Sequence, residues 1–160
     1  MKEDLKRKSF KKVRFKKFLL LETGIEVKSC LYFSILLFFY FLYCIFQGRL
    51  DASILLMAEM VLTAYAMNYL QVYLLNNFDE AEQLDSGVMG RSLLCSALYA
   101  AFGHLLGWFD RNHMATVLFF LYMVLTYGCV FLIYKIRRDI DTVKLNRELA
   151  QFKNRRESEK

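Results

Sequence analysis

Met114-Ala115-Thr116-Val117-Leu118-Phe119-Phe120-Leu121-Tyr122-Met123-Val124-Leu125-Thr126-Tyr127-Gly128-Cys129-Val130-Phe131-Leu132-Ile133-Tyr134 runs 21 residues without a charge. A helix needs roughly 20 apolar residues to cross a hydrocarbon core ~30 Å thick. A segment in lipid must also satisfy its own backbone, which makes this stretch a helix rather than a lone strand. Its lack of polar–apolar alternation excludes a barrel strand as well.

Three more stretches of this kind lie upstream. Ser29–Gly48 carries no charge, Ala52–Phe78 carries only Glu59, and Ser92–Phe109 carries none with His104 neutral. The sequence therefore predicts an all-α four-transmembrane-helix bundle over residues 29–134, with spans at about 29–48, 52–76, 91–109 and 114–134. The basic lead-in and apolar run before Gly48 are both longer than those of a cleavable leader.

Charge is crowded at the ends. Residues 1–28 hold ten Lys/Arg and residues 135–160 hold nine, whereas only Arg49, Arg91 and Arg111 lie between. The net charge of +6 thus belongs to the two tails, and the middle of the chain is acidic on balance. Four spans put both ends and the middle loop on one side, with 20 basic residues against two on the other. By the positive-inside rule the crowded side is cytoplasmic. The outer links, 49–51 and 110–113, are too short for a binding domain, and short links make antiparallel neighbours.

Three segments then face the cytoplasm. The arm at 1–28 mixes basic residues with Phe10, Val13, Phe15, Phe18 and Leu19–Leu21, and reads as a basic amphipathic helix lying on anionic headgroups. That reading is preferred to direct nucleic-acid binding. The middle loop holds Asp79, Glu80, Glu82 and Asp85, followed by a flexible Ser86–Gly90. The tail at 135–160 places Ile136, Ile140, Val143, Leu145, Leu149 and Phe152 at helical spacings, as a C-terminal amphipathic helix does. Asp79, Glu80, Glu82, Asp85, Ile140, Leu149 and Phe152 are the candidate partner contacts.

Within the membrane the sharpest feature is Glu59, about seven residues into helix two and so roughly 10 Å below its outer edge. A charged carboxylate there costs several kcal/mol unless it is paired or protonated. It is either a proton-coupling or ligand-binding group, or a hydrogen-bonded Glu that ties helices together. His104 and Tyr122 stand at matching depth as partners. Ser96, Ala100, Gly103 and Gly107 form a small-residue stripe on helix three, suited to an internal seam or a homodimer face. Asn68 and Gln71 point away from Glu59, and Trp108 suits an aromatic belt.

The four cysteines, Cys30, Cys44, Cys95 and Cys129, lie apart in apolar stretches and read as reduced packing thiols. The sequence holds no metal-ligand spacing, no cofactor motif and no catalytic constellation, so a metal, a cofactor and enzymatic activity are not expected.

The run Gly103-His104-Leu105-Leu106-Gly107-Trp108-Phe109, the helix ending Phe131-Leu132-Ile133-Tyr134-Lys135, and the following Arg137-Arg138-Asp139-Ile140 with Leu145-Asn146 and Leu149 carry a family likeness. They resemble the bacterial domain-of-unknown-function family three-zero-two-one, whose members are short four-helix membrane proteins. The resemblance covers roughly Ser29 to Phe152. It implies a bacterial cytoplasmic (inner) membrane protein, often encoded beside a LytTR-type DNA-binding regulator that it restrains. It implies no catalytic or ligand residue. Two other readings remain: a small proton-coupled multidrug-type exporter using Glu59, and an accessory subunit of a membrane complex. The small multidrug exporters carry their essential Glu in the first helix, unlike this chain.

Overall fold

The structure is a computed structural model. It describes residues 2–158 apart from Leu50 and Glu82, with side chains described within 15–155 apart also from Lys17. The candidate contact Glu82 and the arm side chains Phe10 and Val13 lie outside the described residues.

The chain is all-α, with no strand among the described residues. Helix α1 covers Lys2–Phe46, α2 Ile54–Tyr73, α3 Ser86–Leu105 and α4 His113–Ser158, and a 3-10 turn at Phe78–Glu80 joins α2 to α3. Helices α1 and α2 form one antiparallel hairpin and α3 and α4 another. One end of the bundle carries both hairpin bends (the hairpin end); the other carries the 3-10 turn and the two long helix extensions (the terminal end).

The same local chemistry closes both bends. Gly48 and Gly107 adopt left-handed conformations, with φ of 70° and 74°. Past each glycine a backbone N–H reaches back to the last helical turn: Arg49 to the Cys44 carbonyl at 2.9 Å and Trp108 to the Gly103 carbonyl at 2.9 Å. Glycine takes this conformation without the Cβ clash that other residues meet there. Side-chain caps start α4 and α3, whereas Ser53 before α2 makes no such bond. Asn112 accepts from the Met114 amide at 3.0 Å, and Asp85 accepts from the Ser86 amide at 2.8 Å.

These caps move two expected boundaries. Asp85 starts α3 at once, so Ser86–Gly90 is its first turns rather than a flexible loop. Gly107 ends it early, so the expected span at 91–109 is a helix at Ser86–Leu105. Trp108 and Phe109 fold back into the core and are 1% exposed, which corrects the aromatic-belt reading of Trp108. The arm also differs from expectation, because α1 is helical without a break from the arm into the first apolar stretch.

Buried residues recur at helical spacing on each element: Tyr32, Leu36, Tyr40 and Tyr43; Met60, Ala64 and Met67; Cys95, Tyr99 and Ala100; Phe119, Met123 and Tyr127. The interior is rich in rings. Phe39 stands 5.1 Å from both Phe119 and Tyr122 between the hairpins. Outward faces are mainly aliphatic, with Leu62, Leu105, Leu125 and Ile133 each more than 60% exposed, although Phe38 and Phe46 also point outward. Among the described residues two helices are long and apolar enough to cross a membrane, through Phe18–Phe46 and His113–Arg155. Helices α2 and α3 have 20 residues each but fall short of that apolarity. Glu59, Asn68 and Gln71 dilute α2, and Arg91 and His104 dilute α3.

Candidate functional site

The terminal end is built around Lys28. It lies on α1 and is 5% exposed. Its ammonium donates to Asn77 Oδ1 at 2.5 Å and pairs with Asp79 Oδ1 at 3.0 Å and Glu80 Oε1 at 2.7 Å. It also stands 5.4 Å from the centre of the Tyr134 ring on α4. A buried ammonium is costly to desolvate, and two carboxylates, an amide oxygen and a ring face offset that cost.

The turn that supplies these oxygens is unusual in its backbone. Asn76 and Asn77 are both left-handed, with φ of 54° and 49°. Asparagine tolerates that region better than most residues. The pair reverses the chain sharply enough to aim Asn77 and Asp79 at α1. Phe78 plugs the turn into the core, 5.2 Å from the Tyr127 ring. From α4, Arg138 donates both guanidinium ends at 2.5 Å, to the Glu80 and Ala81 carbonyls.

Beneath the turn lies a buried polar layer. Tyr127 donates to Gln71 Oε1 at 3.4 Å, and the Tyr32 ring stands 5.2 Å from Tyr127 and 6.3 Å from Tyr99. The Tyr32 and Tyr99 hydroxyls, Gln71 Nε2, Asn68 Oδ1 and Asp79 Oδ2 are buried with no hydrogen-bond partner among the described residues. Asn68 and Gln71 face inward, at 0% and 1% exposed.

The three candidates Glu59, His104 and Tyr122 do not come together. His104 Nδ1 lies 3.1 Å from Thr116 Oγ1, and its ring stacks on His113 at 4.9 Å. The Tyr122 hydroxyl donates to the Ile35 carbonyl at 3.3 Å. Glu59 Oε2 is buried and has no hydrogen-bond partner among the described residues. The expected pairing of Glu59 with His104 or Tyr122 is therefore corrected. The two other side chains lie on α3 and α4, and each takes a partner of its own.

The stripe divides as well. Ser96, Ala100 and Gly103 are buried inside the bundle. A Cβ on Gly103 would stand 3.1 Å from the Trp108 ring and 3.3 Å from the Phe109 ring. Gly107 is past the helix end, so it belongs to the cap and not to a helix-packing seam.

The partner-contact candidates fall into two groups. Asp79 is 1% exposed and held by Lys28, so it does not present a surface to a partner. Glu80 keeps 41% of its side chain exposed, and Asp85 is an exposed cap. On α4, Ile140, Leu149 and Phe152 are 62%, 56% and 69% exposed.

At the hairpin end Arg49 pairs with Asp110 at 2.6 Å, and Tyr43 donates to Asp110 Oδ2 at 3.2 Å. The Asp110 carboxylate pushes the Arg49 guanidinium above its ordinary pKa.

The sequence alone does not single out Lys28, Tyr32, Asn77, Tyr99 or Tyr127, and it marks Arg138 only as part of the run Arg137–Ile140. A lysine just before an apolar run and tyrosines spaced along one helix face are signals, but they resemble a belt and a charged flank equally well. No cluster of metal-ligating side chains occurs among the described residues. All four cysteines are free, with Cys44 and Cys95 buried and Cys30 and Cys129 exposed. No protein-family model matches the chain, and neither a curated protein nor a solved structure shows significant similarity to it.

Proposed function

We propose that the chain is a four-span protein of the bacterial inner membrane with both ends in the cytoplasm, and that it acts as a non-enzymatic regulator restraining a LytTR-type transcription factor. The outward faces of α2 and α3 support four spans over two. Ile54, Leu55, Leu62, Leu94 and Leu105 are all more than half exposed, and so broad an apolar surface suits lipid.

The observation that carries the regulatory reading is the free length of α4. It continues to Ser158, and Ile136, Ile140, Val143, Leu145, Leu149 and Phe152 are each exposed by more than half. A helix bearing unpartnered apolar side chains beside charged ones is a docking element for another protein. The resemblance supplies the partner's identity. With Asp79 engaged internally, the contact rests on α4, with Glu80 and Asp85 at its flank. The test is co-purification of the full chain with the LytTR regulator encoded beside it. Leu149→Glu with Phe152→Glu should abolish capture and release transcription of the regulator's targets. Absence of capture by the native chain, with unchanged transcription on deletion, refutes the reading.

A second reading is favoured by Glu59, whose buried Oε2 has no hydrogen-bond partner among the described residues. An intramembrane carboxylate left free to take a proton is what a proton-coupled exporter requires. Proton-driven uptake of a cationic dye into vesicles, lost in Glu59→Gln, supports it; uptake equal in both rejects it.

A further inference from the structure

Helices α1 and α4 belong to different hairpins, and each packs chiefly on its own hairpin partner. Through the middle of the bundle they meet by large side chains, as Tyr32 meets Tyr127 at 5.2 Å and Tyr122 meets the Ile35 carbonyl at 3.3 Å. At the terminal end the turn at 77–81 stands between them. Lys28 reaches it from α1 with three oxygen partners. Arg138 reaches it from α4 with two. Phe78 anchors it to α4 from below, and the Lys28 ammonium itself lies over Tyr134 of α4.

We propose that the turn Asn77–Ala81 is a clip that couples the N-terminal arm of α1 to the C-terminal extension of α4, with Lys28 and Arg138 as its two ties. The clip sits where both helices leave the bundle. Beyond Arg138 the described side chains of α4 are exposed. Beyond Lys28 the bundle still holds Ile25, which is 1% exposed, and Glu22, which accepts from the Tyr69 hydroxyl, and the described arm side chains past Glu22 are exposed. Orientation of the α4 extension is therefore set at the clip, which shares the hold on the arm with Ile25 and Glu22. Leverage is large, because a tilt of about 10° at Arg138 displaces Phe152, roughly 20 Å further along the helix, by about 4 Å. Whatever shifts the basic arm on an anionic membrane surface then reaches the α4 extension, and a load on α4 reaches the arm. Two packed arrangements at a turn, rather than continuous bending, are the usual form of such a device.

The coupling is independent of any partner or transported solute, so it can be tested on the protein alone. Spin labels go at Lys16→Cys on the arm and Gln151→Cys on the extension, with Cys30 and Cys129, the exposed thiols, replaced by serine. A second pair, Ile45→Cys and Leu118→Cys, reports on the bundle. Electron–electron distances are measured in nanodiscs of phosphatidylcholine. The native clip should give one narrow arm–extension distribution. Lys28→Met and Arg138→Gln should each widen it at least twofold, and Asp110→Asn, which breaks the ion pair at the other end, should leave it narrow. The double variant Lys28→Met/Asp79→Asn leaves no fully buried charge unpaired and decides between release and misfolding. Widening of the arm–extension pair alone in that variant supports the clip. An unchanged arm–extension width, or widening of both pairs, overturns it.

Discussion

At Gly103 one absent methyl group sets how closely α3 meets the fold-back of Trp108 and Phe109. The rings that a Cβ would meet at 3.1 and 3.3 Å are themselves 1% exposed, so they have nowhere to retreat. Gly103→Ala should cost about 1–3 kcal/mol, the usual range for overpacking. Gly128, on the open face of α4, has nothing within 4 Å of its Cβ position. Gly128→Ala should be neutral or stabilising by up to about 1 kcal/mol from helix propensity. Denaturant unfolding in mild detergent reads both. Lys28 follows a different rule. Lys28→Met leaves Asp79 buried beside an apolar side chain, and losing one member of a buried pair costs about 3–5 kcal/mol. Neutralising Asp79 as well, in Lys28→Met/Asp79→Asn, should recover more than half of that loss, seen as a regained midpoint in the same experiment. Sequence inspection finds Gly103 as a small residue on a stripe. It does not find its reason, since Trp108 and Phe109 become its neighbours only after the chain turns at Gly107.

Among the elements, α4 combines two roles on one helix. Its first half buries Phe119, Met123 and Tyr127, whereas its second half is exposed from Lys135 to Arg155 apart from a half-buried Arg138. A chain ended after Thr142 keeps Arg138 and, among the described side chains, loses only exposed ones. Its unfolding free energy should stay within about 0.5 kcal/mol of the full chain's, while capture of a partner through α4 disappears. A large stability loss on truncation would show that the extension packs on something in the isolated protein. The existence of all four helices was legible in the sequence, because a run of apolar residues near 20 long has few other solutions. The limits of α3 were not. Hydropathy continues smoothly through Leu106, Trp108 and Phe109, and a left-handed glycine ends the helix inside the apolar run. Asp79 misled for a similar reason: an acid in a polar loop reads as exposed until its counter-ion is located 51 residues upstream.

For the molecule as a whole, the prediction to test is that all four helices lie in the membrane. Four spans and two spans both put the hairpin end opposite the termini, so labelling at Arg111→Cys does not separate them. The start of α3 does. If α2 and α3 span, Ser86→Cys lies on the side of the termini; if only α1 and α4 span, it lies on the opposite side. With Cys30 and Cys129 replaced by serine, a membrane-impermeant maleimide applied to intact cells should label Arg111→Cys and leave Ser86→Cys unmodified until the membrane is opened. Labelling of both from outside would reduce the membrane part to two helices. The exposed apolar faces of α2 and α3, with Leu62 and Leu105 more than 60% exposed, make the four-span outcome the expected one.

The sequence by itself determined that the chain is helical throughout, where the apolar stretches lie and how its charge is divided between ends and middle. Those properties depend on composition over windows of about 20 residues, and no long-range contact is needed to read them. Tertiary structure decided which polar groups meet. It drew Lys28 to Asn77, Asp79 and Glu80, brought Arg138 to the same turn, separated Glu59 from His104 and Tyr122, and carried Trp108 inward. Such pairings join residues tens of positions apart, and their energy comes from removing charges and rings from solvent together. Only the packed arrangement of both hairpins, with two left-handed asparagines between them, supplies the distances that make those pairings possible.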